Sequence, residues 1–228
     1  MMPNEIAKPE FRLYRLVGDR IQHLILEQGL GPGARLPAER ELAATLGVSR
    51  ASLREAFVAL EIGGLIEVRS GSGVYVTGAR QVVPADAETG PGPFEVLAAR
   101  RMIEAEVAAK AARNATGAGL DAILAAMLDM ERNYADPASH EAADRRFHLA
   151  LARAAGNSAL VAVIEYLWSQ RGAMAHRLKH HYRTDELGAA TLADHRAIFS
   201  AVAAGDEAGA RQAMRGHLAR VHRTLSGG

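Results

Sequence analysis

The chain has 228 residues and a formal net charge of +1, so its total charge neither indicates nor excludes a nucleic-acid partner. A composition that is 49% hydrophobic but only 5% aromatic favours packed helices over a β-sandwich, and the absence of cysteine excludes a disulfide framework. The sequence shows neither a signal-peptide pattern nor an apolar run of the roughly 18 residues that a membrane span requires, so a cytoplasmic protein without membrane association is expected.

The first two predicted elements are helices joined by a glycine-rich loop. Residues 11–28 carry apolar side chains at helical spacing on one face, and the glycines within 29–33 end this helix. A second helix is predicted over 37–46, because Pro37 suits a helix start and Glu39 suits the positive end of the helix dipole.

A third helix and a hairpin follow directly. Ser49 is a favourable N-cap for a helix over 50–62, and two short helices joined by a tight glycine-containing turn form a helix-turn-helix pattern. Strand-like segments at 65–69 and 74–77, separated by Ser-Gly-Ser-Gly, predict a hairpin wing. The first predicted domain, over 9–78, is therefore a winged helix-turn-helix.

Polar and cationic side chains gather on the second and third predicted helices. A recognition helix places polar side chains from its first two turns against base edges, while flanking groups hold phosphates. Arg50 and Arg54 share a helix face, and a guanidinium matches guanine O6 and N7. The alternative is a merely solvated helix face, but the turn, the cap and the wing favour DNA. The candidate contacts are Arg35, Arg40, Ser49, Arg50, Ser52 and Arg54.

A change of composition separates this segment from the rest of the chain. Periodicity disappears and proline and glycine accumulate over 79–93, which predicts a flexible linker. Beyond the linker the pattern is helical, and helices are predicted at 94–115, 117–134, 138–155, 158–181, 184–204 and 206–225. The expected fold is mainly α: an N-terminal winged helix-turn-helix followed by an all-helical bundle over 94–226.

Four residues of the helical segment form a candidate metal site. Asp144 and His148 share one helix face at i,i+4 spacing, and His195 and His217 on later helices complete a set of four ligands. Neutral imidazole nitrogens with one carboxylate suit a divalent transition metal. Zinc is the expected metal, and nickel, manganese and iron are alternatives.

A competing histidine cluster lies between the predicted helix that carries Asp144 and His148 and the one that carries His195. It comprises His176, His180 and His181. His176 and His180 also share a helical face, but no carboxylate in the sequence is obviously paired with them. The Asp144 set is therefore preferred.

The sequence at 36–56, LPAERELAATLGVSRASLREA, resembles the winged-helix signature of the GntR superfamily, FadR subfamily. The resemblance covers about 11–77 and implies that Arg40, Arg50 and Arg54 contact an operator. It also implies that the wing tip at Ser70 and Gly71 enters the minor groove. Two such domains would read a short palindrome, so a homodimer on double-stranded operator DNA is implied.

The helical segment, over about 94–225, resembles the FCD ligand-binding domain of the same subfamily. The four metal-site residues match that family's aspartate and three histidines. Arg100 and Glu104 match its arginine-x-x-x-glutamate, which implies that Arg100 holds the carboxylate of an effector. An i,i+4 salt bridge between Arg100 and Glu104 is the alternative, and Arg101 is the adjacent arginine on a different face.

The segments 94–100 and 166–171 look similar to the uronate-responsive branch of these regulators. Trp168, Gln170 and Arg171 would then shape a pocket for a sugar acid, although a lone tryptophan is usually core or interface. Asn157 either caps a helix or presents its amide to the ligand.

These expectations combine into a metal-containing transcriptional regulator, a repressor that responds to a small carboxylic or sugar acid, and not an enzyme. A metalloenzyme using the four ligands is the rival from another class, but no general base stands beside them in the sequence. A fused aminotransferase-like domain is excluded because the remaining 150 or so residues are too few. The third alternative is a metal with a purely structural role.

Overall fold

A computed structural model describes residues 13–69, 71–77, 91–178 and 185–225, with backbone alone at 137, 171–178 and 185–187. The chain divides into two compact units between Gly92 and Pro93. Within the described residues, no helix combines the length and the apolarity that crossing a bilayer requires. Much of the predicted linker, the wing-tip Ser70 and the histidines at 180 and 181 lie outside the described residues.

The first unit is a three-helix bundle with a two-stranded wing, as the sequence predicted. Its elements are α1 Leu13–Glu27, α2 Glu39–Leu46, α3 Arg50–Ile62, β1 Ile66–Arg69 and β2 Gly73–Val76. The strands are antiparallel, with Ile66 opposite Val76. One buried face from each helix and each strand supplies the core, which includes Val17, Ile21, Leu42, Leu53 and Ile66.

The second helix begins two residues later than predicted, because the preceding segment pairs with the wing. The backbone N–H of Leu36 donates to the carbonyl of Val74 at 2.8 Å, and Val76 donates to Ala34 at 2.9 Å. Ala38 keeps an extended backbone as the N-cap residue. Pro37 therefore belongs to the wing connection rather than to the helix.

The turn between α2 and α3 has the geometry that its residues predict. Gly47 ends α2 in the left-handed region at φ 66°, where a residue without a Cβ is not strained. The Ser49 hydroxyl accepts a hydrogen bond from the backbone N–H of Ser52 at 3.0 Å and caps α3. The angle between the two helices is thus set by local backbone chemistry.

The second unit contains six helices among the described residues. They are α4 Pro93–Asn114, α5 Gly117–Arg132, α6 Pro137–Ala154, α7 Ser158–Leu178, α8 Asp185–Ala203 and α9 Glu207–Leu225. The ends that can be compared differ from prediction by at most two residues, whereas the predicted end of α7 at 181 and start of α8 at 184 lie outside the described residues. Asp136 accepts from the backbone N–H of Ser139 at 3.1 Å and starts α6 with Pro137 in its first turn.

Helix α4 is the central helix of this unit, and it contacts α6, α7, α8 and α9. Five of its eleven buried residues are alanine, and three of these, Ala105, Ala108 and Ala111, have no solvent exposure. Short side chains let the neighbouring helices approach closely, which accounts for the alanine bias of this half of the sequence. Arg100 and Glu104 are buried in the same helix, so two charged side chains lie inside the bundle.

Replacing Asp136 by alanine should destabilise the helical unit. The carboxylate satisfies backbone donors at the start of α6, and losing an N-cap costs about 0.5–2 kcal/mol. Urea unfolding followed by circular dichroism measures this change in the free energy of unfolding. The control is Asp121→Ala, an exposed position inside α5, where a change below about 0.5 kcal/mol is expected. Equal losses in the two variants would contradict the capping role.

Candidate metal centre and nucleic-acid interface

The four predicted metal ligands come together inside the helical unit. Asp144 and His148 lie on α6, His195 on α8 and His217 on α9, and all four are buried. One ligand atom from each residue lies within 4.8 Å of the others. The i,i+4 spacing places the first two on one face of α6, and the packing of three helices brings in the two later histidines.

The contacts inside this cluster join one carboxylate oxygen to two imidazoles. Asp144 Oδ1 is 3.0 Å from His195 Nε2 and 3.3 Å from His148 Nε2. The ring centroids of His195 and His217 are 4.5 Å apart. Phe147 packs edge-on against both His148 and His195 and forms an apolar wall beside the cluster.

The outward-facing nitrogens of two histidines have acceptors of their own. His195 Nδ1 lies 2.8 Å from the carbonyl oxygen of Thr191, and His148 Nδ1 contacts Glu104 Oε2. A carbonyl or a carboxylate can only accept, so each Nδ1 donates a proton to its partner. The Nε2 atoms of the two rings face Asp144, and His195 Nε2 lies at hydrogen-bonding distance, 3.0 Å, from its Oδ1.

This arrangement fits a divalent metal. The Nε2 atoms of His148 and His195 and a carboxylate oxygen of Asp144 converge on one buried space, and with Nε2 deprotonated this donor set suits a divalent cation. His148 Nε2 has no hydrogen-bond partner among the described residues. Acceptors behind the ligating imidazoles, here Glu104 and the Thr191 carbonyl, are the usual outer shell of such sites.

The third histidine has a different neighbour. His217 Nδ1 lies 3.6 Å from Asp194 Oδ2, beyond hydrogen-bonding distance, while Arg220 Nε donates to the same oxygen at 2.8 Å. Burial, and then the charge of His195, lower the pKa of His217 to about 4. His217 is thus neutral at neutral pH, which is the form that binds a metal.

Neighbouring charges also shift the pKa values of the buried Glu104 and of His148 beside it. Burial alone would raise the pKa of Glu104, but Arg100 and His148 lower it to about 2. Burial lowers the pKa of His148, and the neighbouring carboxylates of Glu104 and Asp144 outweigh that effect, so this pKa is raised overall. Glu104 is therefore an anion in contact with two side chains that can carry positive charge.

Arg100 lies next to this cluster. The sequence predicted two alternative roles for it, a contact to the effector carboxylate and a salt bridge to Glu104. Its Nε–H donates to Glu104 Oε1 at 2.6 Å, so the i,i+4 salt bridge is present. Its guanidinium carbon lies 4.2 Å from the ring centroid of Trp168, and that ring is 5.1 Å from His148. Trp168 thus packs against both Arg100 and His148. Arg101, by contrast, is exposed.

The other predicted effector residues lie elsewhere or cannot be placed. Asn157 is exposed, and its side-chain oxygen accepts from the backbone N–H groups of Ala159 and Leu160, so it caps α7. Gln170 is half-buried. The side chains of Arg171 and His176 lie outside the described part of the structure.

Two residues beside the metal cluster were not singled out from the sequence. Thr191 contributes only its backbone carbonyl, which any residue four positions before a helical histidine can offer. Asp194 reaches His217 and Arg220 on another helix, and no spacing rule connects them. The only feature of the sequence that could have indicated Asp194 is its position next to His195.

The candidate DNA-contacting residues that the structure describes lie in the first unit. Arg35, Arg40, Ser49, Arg50 and Gly71 are exposed, and Ser52 and Arg54 are half-buried. The side chain of Arg35 lies against Gly73 of the wing, where a Cβ would fall 2.7 Å from Arg35 Nε. A glycine at position 73 is therefore required for this arginine to lie across the wing.

A single acidic residue holds both arginines of the predicted recognition helix. Glu39 Oε1 lies 2.9 Å from Arg50 Nε and 2.9 Å from Arg54 Nε. Arg50 keeps 63% of its side-chain surface exposed. Since Glu39 occupies the Nε edge of the Arg50 guanidinium, the terminal amino groups of Arg50 can still donate to other acceptors. The sequence had indicated only a dipole role for Glu39.

Two family matches cover nearly all of the described chain. Residues 13–76 match the family of bacterial regulatory proteins described as the gntR family, and residues 95–220 match the FCD domain. The two matches correspond to the winged unit and the helical unit. The resemblance read from the sequence is thereby confirmed for both halves.

Individual relatives agree with the family matches. The Uxu operon transcriptional regulator of Escherichia coli K12 is 39% identical over 94% of this chain and 87% of its own length. The putative L-lactate dehydrogenase operon regulatory protein of the same organism is 37% identical over 94% of this chain and 86% of its own length. A solved Streptococcus agalactiae GntR structure is 28% identical, covers 92% of this chain and 99% of that one, and superposes with a TM-score of 0.50.

The curated relatives are named as regulators of transcription rather than as enzymes, which agrees with the prediction made from the sequence. A winged helix-turn-helix followed by a helical domain, with both family matches in that order, leaves one assignment. The chain belongs to the GntR family of bacterial transcriptional regulators, and its second domain is an FCD domain.

Proposed function

We propose that this regulator is a homodimeric repressor whose FCD domain binds a divalent metal, zinc first among the alternatives, and a small carboxylic or sugar acid. Binding of the acid would change its affinity for operator DNA. The observation that carries the proposal is the buried Asp144 and three-histidine cluster with Arg100 close beside it. The proposed domains are 9–78 for DNA, 79–93 for the linker and 94–226 for sensing and dimerisation.

The ligand set supports the metal part of this proposal. Three imidazoles and a carboxylate suit zinc, nickel, manganese or iron, and four protein ligands leave coordination positions for a small anion. A bound metal would supply positive charge that attracts an oxygen of the acid. In this proposal Glu104 and the Thr191 carbonyl accept from Nδ1 of His148 and His195, which leaves each Nε2 for the metal.

The acid part rests on Arg100. A guanidinium has five N–H donors, so Arg100 can donate to Glu104 and still hold a second carboxylate. Trp168 limits the position of the guanidinium by packing against it. One relative is named for an L-lactate dehydrogenase operon, and lactate is a small hydroxy acid, which is compatible with this chemistry. Gln170 and Arg171 are the further residues proposed for the effector, whereas the Asn157 side chain is used as the cap of α7.

The DNA part rests on the exposed arginines of the winged unit. Arg50 and Arg54 would read bases in the major groove, with Ser49 and Ser52 beside them. Arg35 and Arg40 would hold phosphates, and the wing tip at Ser70 and Gly71 would enter the minor groove. A palindromic operator requires a symmetric reader, so two copies of the chain are proposed. The acid can release DNA only if it binds the two states of the dimer with different affinity.

The decisive experiment measures release of the dimer from its own upstream DNA. The protein is titrated with hydroxy, dicarboxylic and hexuronic acids, before and after metal removal by a chelator. We expect one class of acid to release the DNA, and we expect metal removal or His195→Ala to abolish that response because His195 is a ligand. The control is His140→Ala on α6, outside the cluster, which should respond like the wild type.

A different result would change the role of the metal. If metal is bound but every acid leaves DNA binding unchanged, with or without the metal, the site is structural and the sensing proposal is wrong. If the wild type retains no metal after loading and dialysis, the metal proposal itself is wrong.

Replacing Arg50 by alanine should weaken operator binding at one base position. A bidentate contact from arginine to guanine contributes about 1–3 kcal/mol of discrimination. Affinity for the operator and for single-base variants of it, measured by fluorescence anisotropy at fixed salt, gives this number. The control is Arg113→Ala, an exposed arginine of the helical unit paired with Glu207. Unchanged affinity and unchanged base preference for Arg50→Ala would show that another element reads the DNA.

Replacing Glu39 by glutamine should reduce discrimination between operator and random DNA. The change frees Arg50 and Arg54 to contact phosphates and removes a negative charge that repels them, so binding to random DNA should rise. Exposed ion pairs contribute up to about 1 kcal/mol, so the specificity ratio should fall by up to about fivefold. The ratio is measured by competition between the two DNAs.

The matched control for this variant is Glu41→Gln, which removes the same charge from the first turn of α2. Among the described residues, Glu41 forms no ion pair with α3. If both variants raise operator and random binding by the same factor, Glu39 contributes charge alone and does not position the arginines.

A further inference from the structure

The carboxylate of Glu104 connects two parts of the helical unit that the proposed function uses separately. One oxygen accepts from Arg100 Nε–H at 2.6 Å, and the other accepts from Nδ1–H of His148. Glu104 is 2% exposed, so both contacts are sheltered from water. No other carboxylate among the described residues contacts both the proposed acid-binding arginine and a proposed metal ligand.

We propose that Glu104 is a positioning residue that selects the metal-binding tautomer of His148 and couples that choice to Arg100. The inference rests on the proposed function, in which His148 is a metal ligand and Arg100 contacts the acid. It assigns to Glu104 a role beyond that of an ion-pair partner. The role follows from counting donors and acceptors around one side chain.

A glutamate has two oxygens, and each of its two partners here needs an acceptor. With both acceptors present, Nδ1–H of His148 donates to Glu104, and Nε2, which makes no hydrogen bond among the described residues, faces the ligand cluster 3.3 Å from Asp144 Oδ1. The negative charge of Glu104 also makes the imidazole a stronger ligand, as acceptors behind metal-bound histidines do. The position of one proton therefore decides whether His148 can bind a metal.

Glutamine at position 104 has the same shape but only one acceptor. Arg100 Nε–H would form the stronger hydrogen bond to that oxygen, because the guanidinium is charged and buried. The glutamine NH₂ would then face His148. His148 Nδ1 would then accept, and the proton would move to Nε2. The nitrogen that faces the metal site would no longer be a ligand.

Arg100 therefore influences the metal site even before any acid is present, because it competes with His148 for the acceptor at position 104. Replacing Arg100 by methionine in the Glu104→Gln background removes the competing donor. The glutamine oxygen can then turn toward His148 and restore the Nδ1–H tautomer. This double variant also leaves no buried charge without a partner, so it avoids the main reason for the single variant to unfold.

The test measures Zn²⁺ and Co²⁺ affinity by competition with a chromophoric chelator, with no acid present, in the full-length protein. We expect Glu104→Gln to bind either metal about 10–100-fold more weakly than the wild type. We expect the double variant to recover to within about tenfold of the wild type. Glu106→Gln, an exposed glutamate of α4 paired with Arg211, is the matched control and should bind like the wild type.

A second readout reports the tautomer directly. Long-range ¹⁵N–¹H correlation spectra of the metal-free protein, at a pH where the ring is neutral, distinguish a proton on Nδ1 from one on Nε2. We expect Nδ1–H in the wild type and the double variant, and Nε2–H in Glu104→Gln. Circular dichroism and thermal melting monitor the stability of each variant. A general loss of stability would not move the His148 proton to Nε2 in the single variant and back to Nδ1 in the double variant.

Three outcomes overturn the inference. The first is wild-type metal affinity with an unchanged tautomer in Glu104→Gln. The second is a folded double variant that binds metal no more tightly than Glu104→Gln. The third is a wild type whose neutral His148 carries its proton on Nε2. A wild type that takes up neither metal contradicts the proposed metal site instead, and the tautomer of His148 then decides the present inference alone.

Discussion

Charge buried inside a helical bundle must be neutralised, and this requirement organises the second unit of the protein. Arg100, Glu104, Asp144 and the three histidines are all buried, in a region otherwise lined by alanine and larger apolar side chains. Isolated buried charges would cost several kcal/mol each, so they occur here as one connected set. The set extends from Arg100 through Glu104 to His148 and Asp144.

The alanine-rich surface of α4 is what allows this set to form. With short side chains along its length, α4 lies close enough to α6 for Glu104 to contact His148, and α8 and α9 bring their histidines to Asp144. Larger core residues would separate the helices and leave the polar groups without partners. Packing and electrostatics therefore depend on each other, and a metal bound among the ligands would complete the neutralisation.

The winged unit applies the same principle at its surface. Glu39 balances two arginines that DNA phosphates would otherwise attract in any register, while the capped turn at Ser49 fixes the helix that carries them. Arg50 keeps 63% of its side-chain surface exposed, and Glu39 and Arg54 are only half-buried, so these ion pairs are weak enough for the proposed operator contacts to replace them. Strong neutralisation inside the helical unit suits the stable metal site that we propose, and weak neutralisation on α3 suits the reversible DNA contact that we propose.

Local rules sufficed to predict every helix and the wing, since caps, glycines and apolar periodicity act within a few residues. The same locality placed Asp144 beside His148 and Arg50 beside Arg54, because positions one helical turn apart share a face. The start of α2 was predicted two residues early, because backbone bonds to Val74 draw Leu36 into the wing. The contact of Glu104 with His148 spans 44 residues, and that of Asp144 with His195 spans 51. No spacing rule reaches across such distances; helix packing alone brought these groups together, and with them the acceptors that set each tautomer.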